Sequence, residues 1–285
     1  MLVSVVVPTY NRAHLIERCL HSILNQTYSD LEIIVVDDCS TDNTQEIVNA
    51  ISDSRIKYYR LEHNSGACAA RNFGIDKSQG EYIAFQDSDD VWMPKKVELQ
   101  IKELLSKKSN ICVCGMKTID TVTNEFFYNP KSYCISYNDL LIGNQISTQM
   151  LVCHKSVFKR FRFDTHLPRF QDWDLVLSIC KEYEITYVKD ILVIQYIQSD
   201  SITKSSEKMA KSYEMIYKKH IEDFKKNKRA HIKILKDISR TKTQNGLDAT
   251  EYYVRLFRID HSIVNLIKLI FNYFGLMSCL YKWVK

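Results

Sequence analysis

Residues 2–7 (LVSVVV) form a nearly unbroken apolar, β-branched run, followed at once by Pro8-Thr9-Tyr10-Asn11. The run predicts a short strand buried on both faces and ended by a turn. Leu15, Ile16, Cys19, Leu20, Ile23 and Leu24 then repeat at helical spacing. The alternation continues. Residues 31–36 (LEIIVV) predict a second buried strand ending in Asp37-Asp38, and Ser40, Thr41, Asp42 and Asn43 offer helix N-caps ahead of Ile47, Val48 and Ile51. A strand over 56–60, a helix over 67–75 and a strand over 81–86 (EYIAFQ) follow, the last running into Asp87-Ser88-Asp89-Asp90. Strands alternating with helices at this spacing predict right-handed βαβ units and an open, mostly parallel α/β sheet flanked by helices. Ligands on such sheets bind at the carboxyl ends of the strands.

Past Pro94 the pattern predicts a helix to about Lys107, a strand over 111–117, and a less regular stretch over 118–170. That stretch holds candidate strands near 124–128 and 148–153 and a short helix over 137–142. A helix over 171–183 and a strand over 188–196 close the sheet. Beyond Ser205 the chain reads as helical and basic, so the expected organisation is an α/β domain over 1–203 and a helical extension over 204–285.

Of the 285 residues, 45% are apolar and 26% charged, which excludes disorder as the main state. The net charge of +5 is unevenly placed, since 18 Lys/Arg stand against 8 Asp/Glu from Lys204 onward. The N-terminus opens directly into a strand with no basic n-region, which reads as a cytoplasmic protein and not a signal peptide. Nine cysteines lie mostly inside apolar runs without a C-x-x-C pair, as expected for buried reduced thiols; the C-x-C of 112–114 reads as core strand. The Lys-rich run 218–229 reads as a solvated helix face, and no nucleic-acid motif accompanies it. With seven glycines in the chain and no GxGxxG or Walker lysine loop, dinucleotide and P-loop sites are disfavoured.

The chemistry concentrates at strand ends. Carboxylates two apart on the loop Asp87-Ser88-Asp89-Asp90 can both reach one hard divalent cation, Mg²⁺ or Mn²⁺, leaving positions open for phosphate oxygens. A polar turn that caps the next helix is the plain alternative, but three acids at one strand end repel each other unless something compensates. Asp37-Asp38 leaves a neighbouring strand on the same rim, where an Asp could accept from a base or ribose, or cap the helix that follows.

Six segments together resemble the family 2 glycosyltransferases of GT-A fold: VSVVVPTYNR (3–12), LIERCLHSILNQTY (15–28), EIIVVDDCSTDNT (32–44), NSGACAARNFGI (64–75), GEYIAFQDSDDVWMP (80–94) and QDWDL (171–175). The resemblance implies a Rossmann-like GT-A sheet and transfer of a sugar from a nucleotide-diphospho-sugar, commonly a UDP-sugar, with inversion at the anomeric carbon. It implies that Pro8, Thr9, Tyr10 and Asn11 line the nucleotide pocket, that Asp38 meets the base, and that Arg71 approaches the diphosphate or ribose. By the same resemblance Asp87, Ser88 and Asp89 form the D-x-D segment, with Asp87 and Asp89 as ligands for Mn²⁺ or Mg²⁺, and Asp172 is the general base. The acceptor would be a growing cell-surface glycan, often lipid-linked. The sequence departs from the pattern at Gln171, where relatives carry Glu, and at Gln195 and Gln198, where they often carry Arg or His. Two other classes compete. A nucleotidyltransferase usually opens with a Gly-rich, Lys/Arg-bearing phosphate loop, absent here; a silent nucleotide-sugar or partner-binding module would lose the acids, yet all four of Asp38, Asp87, Asp89 and Asp172 are present.

The last segment, 261–285, predicts an amphipathic helix lying in the plane of an anionic membrane surface. Asn265, Lys268, Asn272, Ser278 and Lys282 fall on one side, and Ile263, Leu266, Ile267, Ile270, Phe271, Phe274, Met277 and Tyr281 on the other. The expected location is therefore peripheral, on the inner face of the cell membrane; packing on the catalytic domain or in a homodimer is the alternative.

Overall fold

A computed structural model describes residues 1–120, 123, 126–129, 135–197, 206–273 and 275. Strands β1 (Val3–Thr9), β2 (Leu31–Asp37), β3 (Ile56–Arg60) and β4 (Tyr82–Phe85) run parallel in the order β3-β2-β1-β4. Helices α1 (Ile16–Leu24), α2 (Thr44–Ala50) and α3 (Ala67–Lys77) make the crossovers. Every residue of β1 and β2 is buried, as their unbroken apolar runs require. Next in chain order come β5 (Val91–Trp92), α4 (Lys96–Lys107), β6 (Ile111–Asp120), β7 (Phe126–Asn129), α5 (Tyr137–Ile142), β8 (Leu151–His154), α6 (Gln171–Ile179) and β9 (Ile185–Ile197). They extend the sheet through β4-β8-β6-β9-β5, with β6 and β9 parallel, β8 and β5 antiparallel to their neighbours, and β7 paired to β6.

The predicted strand near 148–153 begins instead as a 3₁₀ turn, Thr148–Met150, because the buried Gln100 side chain takes the Met150 carbonyl at 2.9 Å before pairing with β4 starts. The helix expected to reach 183 stops at Ile179, and β9 starts three residues earlier than its apolar core suggested. Strand β5, two residues long, exists only through its pairing with Val193 and Ile194. Two residues carry no periodicity of their own.

Glycine matters where elements approach closely, at Gly74, Gly80 and Gly115. A Cβ on Gly74 would stand 2.3 Å from Val6 Cγ1, so only glycine lets α3 lie this close to β1. The chain divides into two compact units. The first, Met1–Ile135, Gln145–Thr165 and Gln171–Ser201, holds the sheet. The second, Ser136–Asn144, His166–Phe170 and Ile202–Lys285, holds α5 and the helices α7 (Ser206–Lys219), α8 (Ile221–Lys226), α9 (Lys228–Gln244), α10 (Thr250–Ile259) and α11 (Ile263–Tyr273). Within it Glu214 accepts from Tyr252 Oη at 2.7 Å and Lys218 Nζ at 2.9 Å, and Tyr217 stacks on His231. The seven described cysteines are free thiols, and Cys134 and Cys279 lie outside the described residues. Burial pushes the Cys112 thiol up to about 12.

One charge is buried in the sheet. Glu32 in β2 is 3% exposed and accepts from Ser4 Oγ, Lys57 Nζ (2.7 Å) and the Gln79 N–H (2.6 Å). Burial works against its ionised form, yet the bonds from Lys57, Ser4 and Gln79 outweigh it and hold the carboxyl below its usual value. A carboxylate depressed in the folded state adds stability above its unfolded value of about 4.3, and that stability is lost as pH falls through the folded value. Glu32→Gln is expected to cost about 3 kcal/mol at neutral pH and to flatten the acid limb of stability against pH. Urea midpoints at neutral and acid pH check this: wild type and variant should converge on acidification, and curves that stay parallel would refute it.

Candidate active site

The rim of the sheet opens where β1 outruns β4. Pairing of β1 with β4 ends at Val6 and Phe85, closed by the Gln86 N–H on the Val6 carbonyl at 3.0 Å. On its other side β1 stays paired to β2 as far as Thr9 and Asp37, and the Asp38 N–H donates to the Thr9 carbonyl at 2.8 Å. Pro8 shares the β4-facing parity of Val6 and stands past the last pair, so its missing N–H breaks no ladder bond. Because the β1–β2 and β3–β4 connections leave in opposite directions, this gap is the topological switch point of the sheet, the usual place for a ligand crevice.

Three loops meet there. After β1, Thr9 is 3% exposed and its Oγ1 has no hydrogen-bond partner, while Tyr10 is exposed. Asn11 adopts φ 50° and its Oδ1 accepts from the Thr41 N–H at 2.7 Å, which ties this loop to the one after β2. The Asn11 and Arg12 N–H groups complete the tie on Ser40 Oγ (2.9 Å) and Thr44 Oγ1 (3.0 Å). Asp38, 4% exposed, does not cap the helix after its own strand. Its two oxygens accept from the N–H groups of Ser65 and Gly66, both at 2.7 Å, and so fasten the start of α3. Gly66 is the N-cap there with φ 86°, a left-handed conformation that glycine alone adopts without strain. Asp37 is wholly buried and takes the Ser40 N–H at 2.7 Å and the Tyr58 hydroxyl.

The third loop carries the acids, and the fold sorts them. Asp90 turns inward at 2% exposure, accepting from the Tyr196 N–H (2.7 Å) and Gln149 Nε2 (2.6 Å), which pins the turn to β9 and to the 3₁₀ segment. Burial, and then the charges of Asp89 and Asp87, push its carboxyl well above the ordinary range. Ser88 is buried at 6% exposure. Asp87 and Asp89 keep side-chain exposures of 26% and 28% and face cations. Arg71 Nη2 donates to Asp87 Oδ1 at 2.7 Å, and Arg12 Nε lies 3.8 Å from Asp89 Oδ2. Arg18 donates to the Asp89 carbonyl at 2.6 Å and stacks 4.3 Å above the Tyr196 ring.

Arg71 is the junction of the site. It leaves α3 beneath the acid loop, its side chain 11% exposed and its guanidinium 5.4 Å from the Phe163 ring. Burial pulls against its charge, but the carboxylate of Asp87, with that of Asp172 behind it, holds it more firmly protonated than usual. Asp172, half-buried beside Gln171 at the start of α6, accepts the Trp173 N–H at 2.8 Å. Asn72, next to Arg71, clamps both backbone groups of Phe163, donating to its carbonyl at 2.9 Å and accepting its N–H at 3.0 Å. Of the residues read from sequence, then, Asp87 bonds the Arg71 guanidinium and Asp172 acts on it through its charge, whereas Asp38 and Asn11 are engaged in building the loops. Gln195 accepts from Thr118 Oγ1 at 3.1 Å, and Gln198 lies outside the described residues. Sequence reading missed Arg12, Arg18, Asn72, Gln149 and Tyr196, and did not separate Asp90 from the other acids of its loop. Two cations just past a strand end that faces acids were the available signal for Arg12 and Arg18; the others are recognisable only by their distant partners.

Among the described residues no group of three or more His, Cys, Asp or Glu converges to hold a metal. What the rim offers is two part-exposed carboxylates two residues apart, hard oxygen donors that suit a divalent cation taking its remaining ligands from phosphate and water. A separate hollow of about 580 Å³ between α1 and α2, lined by His21, Asn25, Ile51 and Arg55 among others, lies at the opposite edge of the sheet, where those helices end. It takes in none of the strand-end acids.

A switch-point crevice with paired acids at its mouth is the ligand site of an open α/β fold, and the comparisons say which family carries it. Residues 4–167 match the model of Glycosyl transferase family 2, and the chain belongs to that family. It is 36% identical over 78% of its length, and 82% of the relative's, to WcaA of Escherichia coli (strain K12), whose name places it in colanic acid biosynthesis. It is 35% identical, over 66% of its length and 73% of the relative's, to the Escherichia coli UDP-Glc:alpha-D-GlcNAc-diphosphoundecaprenol beta-1,3-glucosyltransferase WfgD. In fold it is similar to residues 1–349 of S. aureus TarS in complex with UDP, at TM-score 0.65 and 19% identity, covering 100% of this chain and 92% of that one. It spans 54% of a longer TarS chain at TM-score 0.71.

Proposed function

We propose that this chain is an inverting glycosyltransferase that moves a sugar from a UDP-sugar to a hydroxyl of a growing, lipid-carried cell-surface glycan. The observation that carries the reading is Arg71, one buried guanidinium bonded to Asp87 of the acid loop and under the charge of Asp172. Asp87 of the acid loop holds that guanidinium by a hydrogen bond, and the half-buried Asp172 on another helix adds electrostatic attraction alone. The relatives supply the chemical class: the name of WfgD gives a UDP-sugar donor and a diphosphoundecaprenol acceptor, and TarS was solved with UDP.

In this reading Thr9 and Tyr10 face the nucleotide, and Asp38 keeps the α3 loop in place beside the base. Asp87 and Asp89 would hold Mn²⁺ or Mg²⁺, which when bound neutralises charge on the departing diphosphate. Arg12 and Arg71 add fixed positive charge on the same side. Asp172 accepts the proton of the acceptor hydroxyl as that oxygen attacks the anomeric carbon and the bond to the diphosphate breaks. A single displacement needs no protein nucleophile and inverts the centre.

A panel of nucleotide sugars tests this by thermal shift with Mn²⁺ present. A UDP-sugar at a hundred times its Kd should add about 2.7 kcal/mol of stability, and slow release of UDP should accompany it. If no nucleotide sugar shifts the melting temperature, the reading fails; if only a GDP-sugar or ADP-sugar does, the base assignment fails.

A further inference from the structure

Helix α1 holds the acid loop from one side. Its Ile16, Cys19, Leu20 and Ile23 are buried, and beside that face runs a polar row at helical spacing: Arg18, Ser22 one turn on, and Gln26 just past the helix end. Each member takes hold of the chain that follows β4. Arg18 Nη2 donates to the Asp89 carbonyl at 2.6 Å, and Ser22 Oγ accepts the Trp92 N–H at 3.1 Å. Gln26 donates to the Met93 carbonyl at 2.8 Å and accepts the Val97 N–H at 3.1 Å. The Cys19 thiol, next to Arg18, adds a weak bond to the Asp87 carbonyl at 3.4 Å. Segment 87–97 is thereby laid along α1.

Arg18 is the member of the row at the crevice. Residues 87–90 form a β-turn closed by the Asp90 N–H on the Asp87 carbonyl at 3.1 Å. The peptide joining Asp89 to Asp90 therefore has its N–H fixed inside the turn, and Arg18 fixes its carbonyl from outside. Held at both ends, that peptide sets the backbone angle from which the Asp89 side chain leaves. The guanidinium is itself aimed, since it lies 4.3 Å above the Tyr196 ring, and the Tyr196 N–H donates to Asp90 Oδ1 at 2.7 Å. Tyr196 thus holds the turn twice, by its backbone on Asp90 and by its ring, through Arg18, on Asp89. Groups that orient a metal-binding carboxylate typically govern metal affinity by about 10- to 100-fold. Charge and positioning predict opposite signs here. A guanidinium this close repels a divalent ion, so by charge alone its removal would tighten metal binding.

We infer that Arg18 is a positioning residue for the divalent-cation site, holding the turn against α1 in the geometry from which Asp89 binds the ion. The inference rests on the reading of Asp87 and Asp89 as the ligands of that ion. The test titrates the full chain with Mn²⁺ in the presence of UDP and reads free Mn²⁺ by its paramagnetic resonance signal, with no turnover involved. Arg18→Met should raise the Mn²⁺ Kd by about tenfold or more. Its melting temperature should stay within about 2 °C of wild type, because the side chain is exposed. Should it melt early, Tyr196→Leu carries the test, since it keeps the backbone N–H on Asp90, removes the ring beneath Arg18 and should weaken Mn²⁺ binding in the same direction. The two changes combined should cost no more than Arg18→Met alone, because the ring acts through Arg18. A Mn²⁺ Kd in Arg18→Met equal to or tighter than that of wild type overturns the inference, as does a double variant whose losses add. Asp89→Ala reports the underlying reading separately. If wild type takes up no Mn²⁺, or Asp89→Ala binds it as tightly as wild type, the ligand assignment fails and the inference with it.

Discussion

Asp172→Asn is expected to lower kcat by about 10²-fold or more while leaving donor affinity nearly unchanged. The variant is chosen for what it keeps. Asparagine retains an oxygen for the Trp173 N–H that Asp172 Oδ1 now accepts, so the start of α6 stays intact while the group loses its capacity to take a proton. A base acts on the acceptor hydroxyl, which puts the loss into the chemical step. Its electrostatic reach to Arg71 offers a different role, in which Asp172 steadies the donor site through the guanidinium. Donor titration and steady-state kinetics on the same preparation separate the two. A fall in kcat at constant donor Kd supports the base; an equal fall in donor binding would assign Asp172 to the donor side.

Asp89→Ala is expected to abolish most activity at little cost in stability, and chelation of wild type should do the same reversibly. Charge neutralisation on a departing diphosphate is worth several kcal/mol, so a loss of about 10³-fold is the expected scale. Asp87→Ala should behave differently. Arg71 is 11% exposed, and removing Asp87 strips its bonded carboxylate, leaving a largely buried guanidinium undercompensated at a cost of about 2 kcal/mol. The Asp87 variant should therefore lose both activity and melting temperature, and the Asp89 variant mainly activity. Rates measured after EDTA and after re-addition of Mn²⁺ or Mg²⁺, with thermal melts of both variants, check the pair. A rate indifferent to EDTA would remove the cation from the reading.

The strand-end acids were legible because two local signals coincide at each: a buried apolar run and the carboxylates that close it. That arithmetic located Asp38, Asp87 and Asp89, and the helical spacing located α1, α4 and α5 within a residue or two. It could not rank the acids within one loop. Asp87, Asp89 and Asp90 are equivalent on paper, and only Gln149 and the Tyr196 N–H, 59 and 106 residues away, make Asp90 the internal one. Likewise Asp38 was open to a base or to the next helix, and the N–H groups of Ser65 and Gly66 claimed it for α3.

Helix α11 draws the same line most sharply. Periodicity alone determined that Asn265, Lys268 and Asn272 share one side and Ile263, Leu266, Ile267 and Ile270 the other, because side-chain direction in a helix follows from residue spacing. Which side meets the protein is not a property of the helix. It was decided by groups elsewhere in the unit, Asp260 and Thr250 offering hydrogen-bond partners to the two asparagines. Burying an amide with its partner satisfied costs little, and burying it without one costs a great deal, so the polar side went inward and the apolar strip was left facing out.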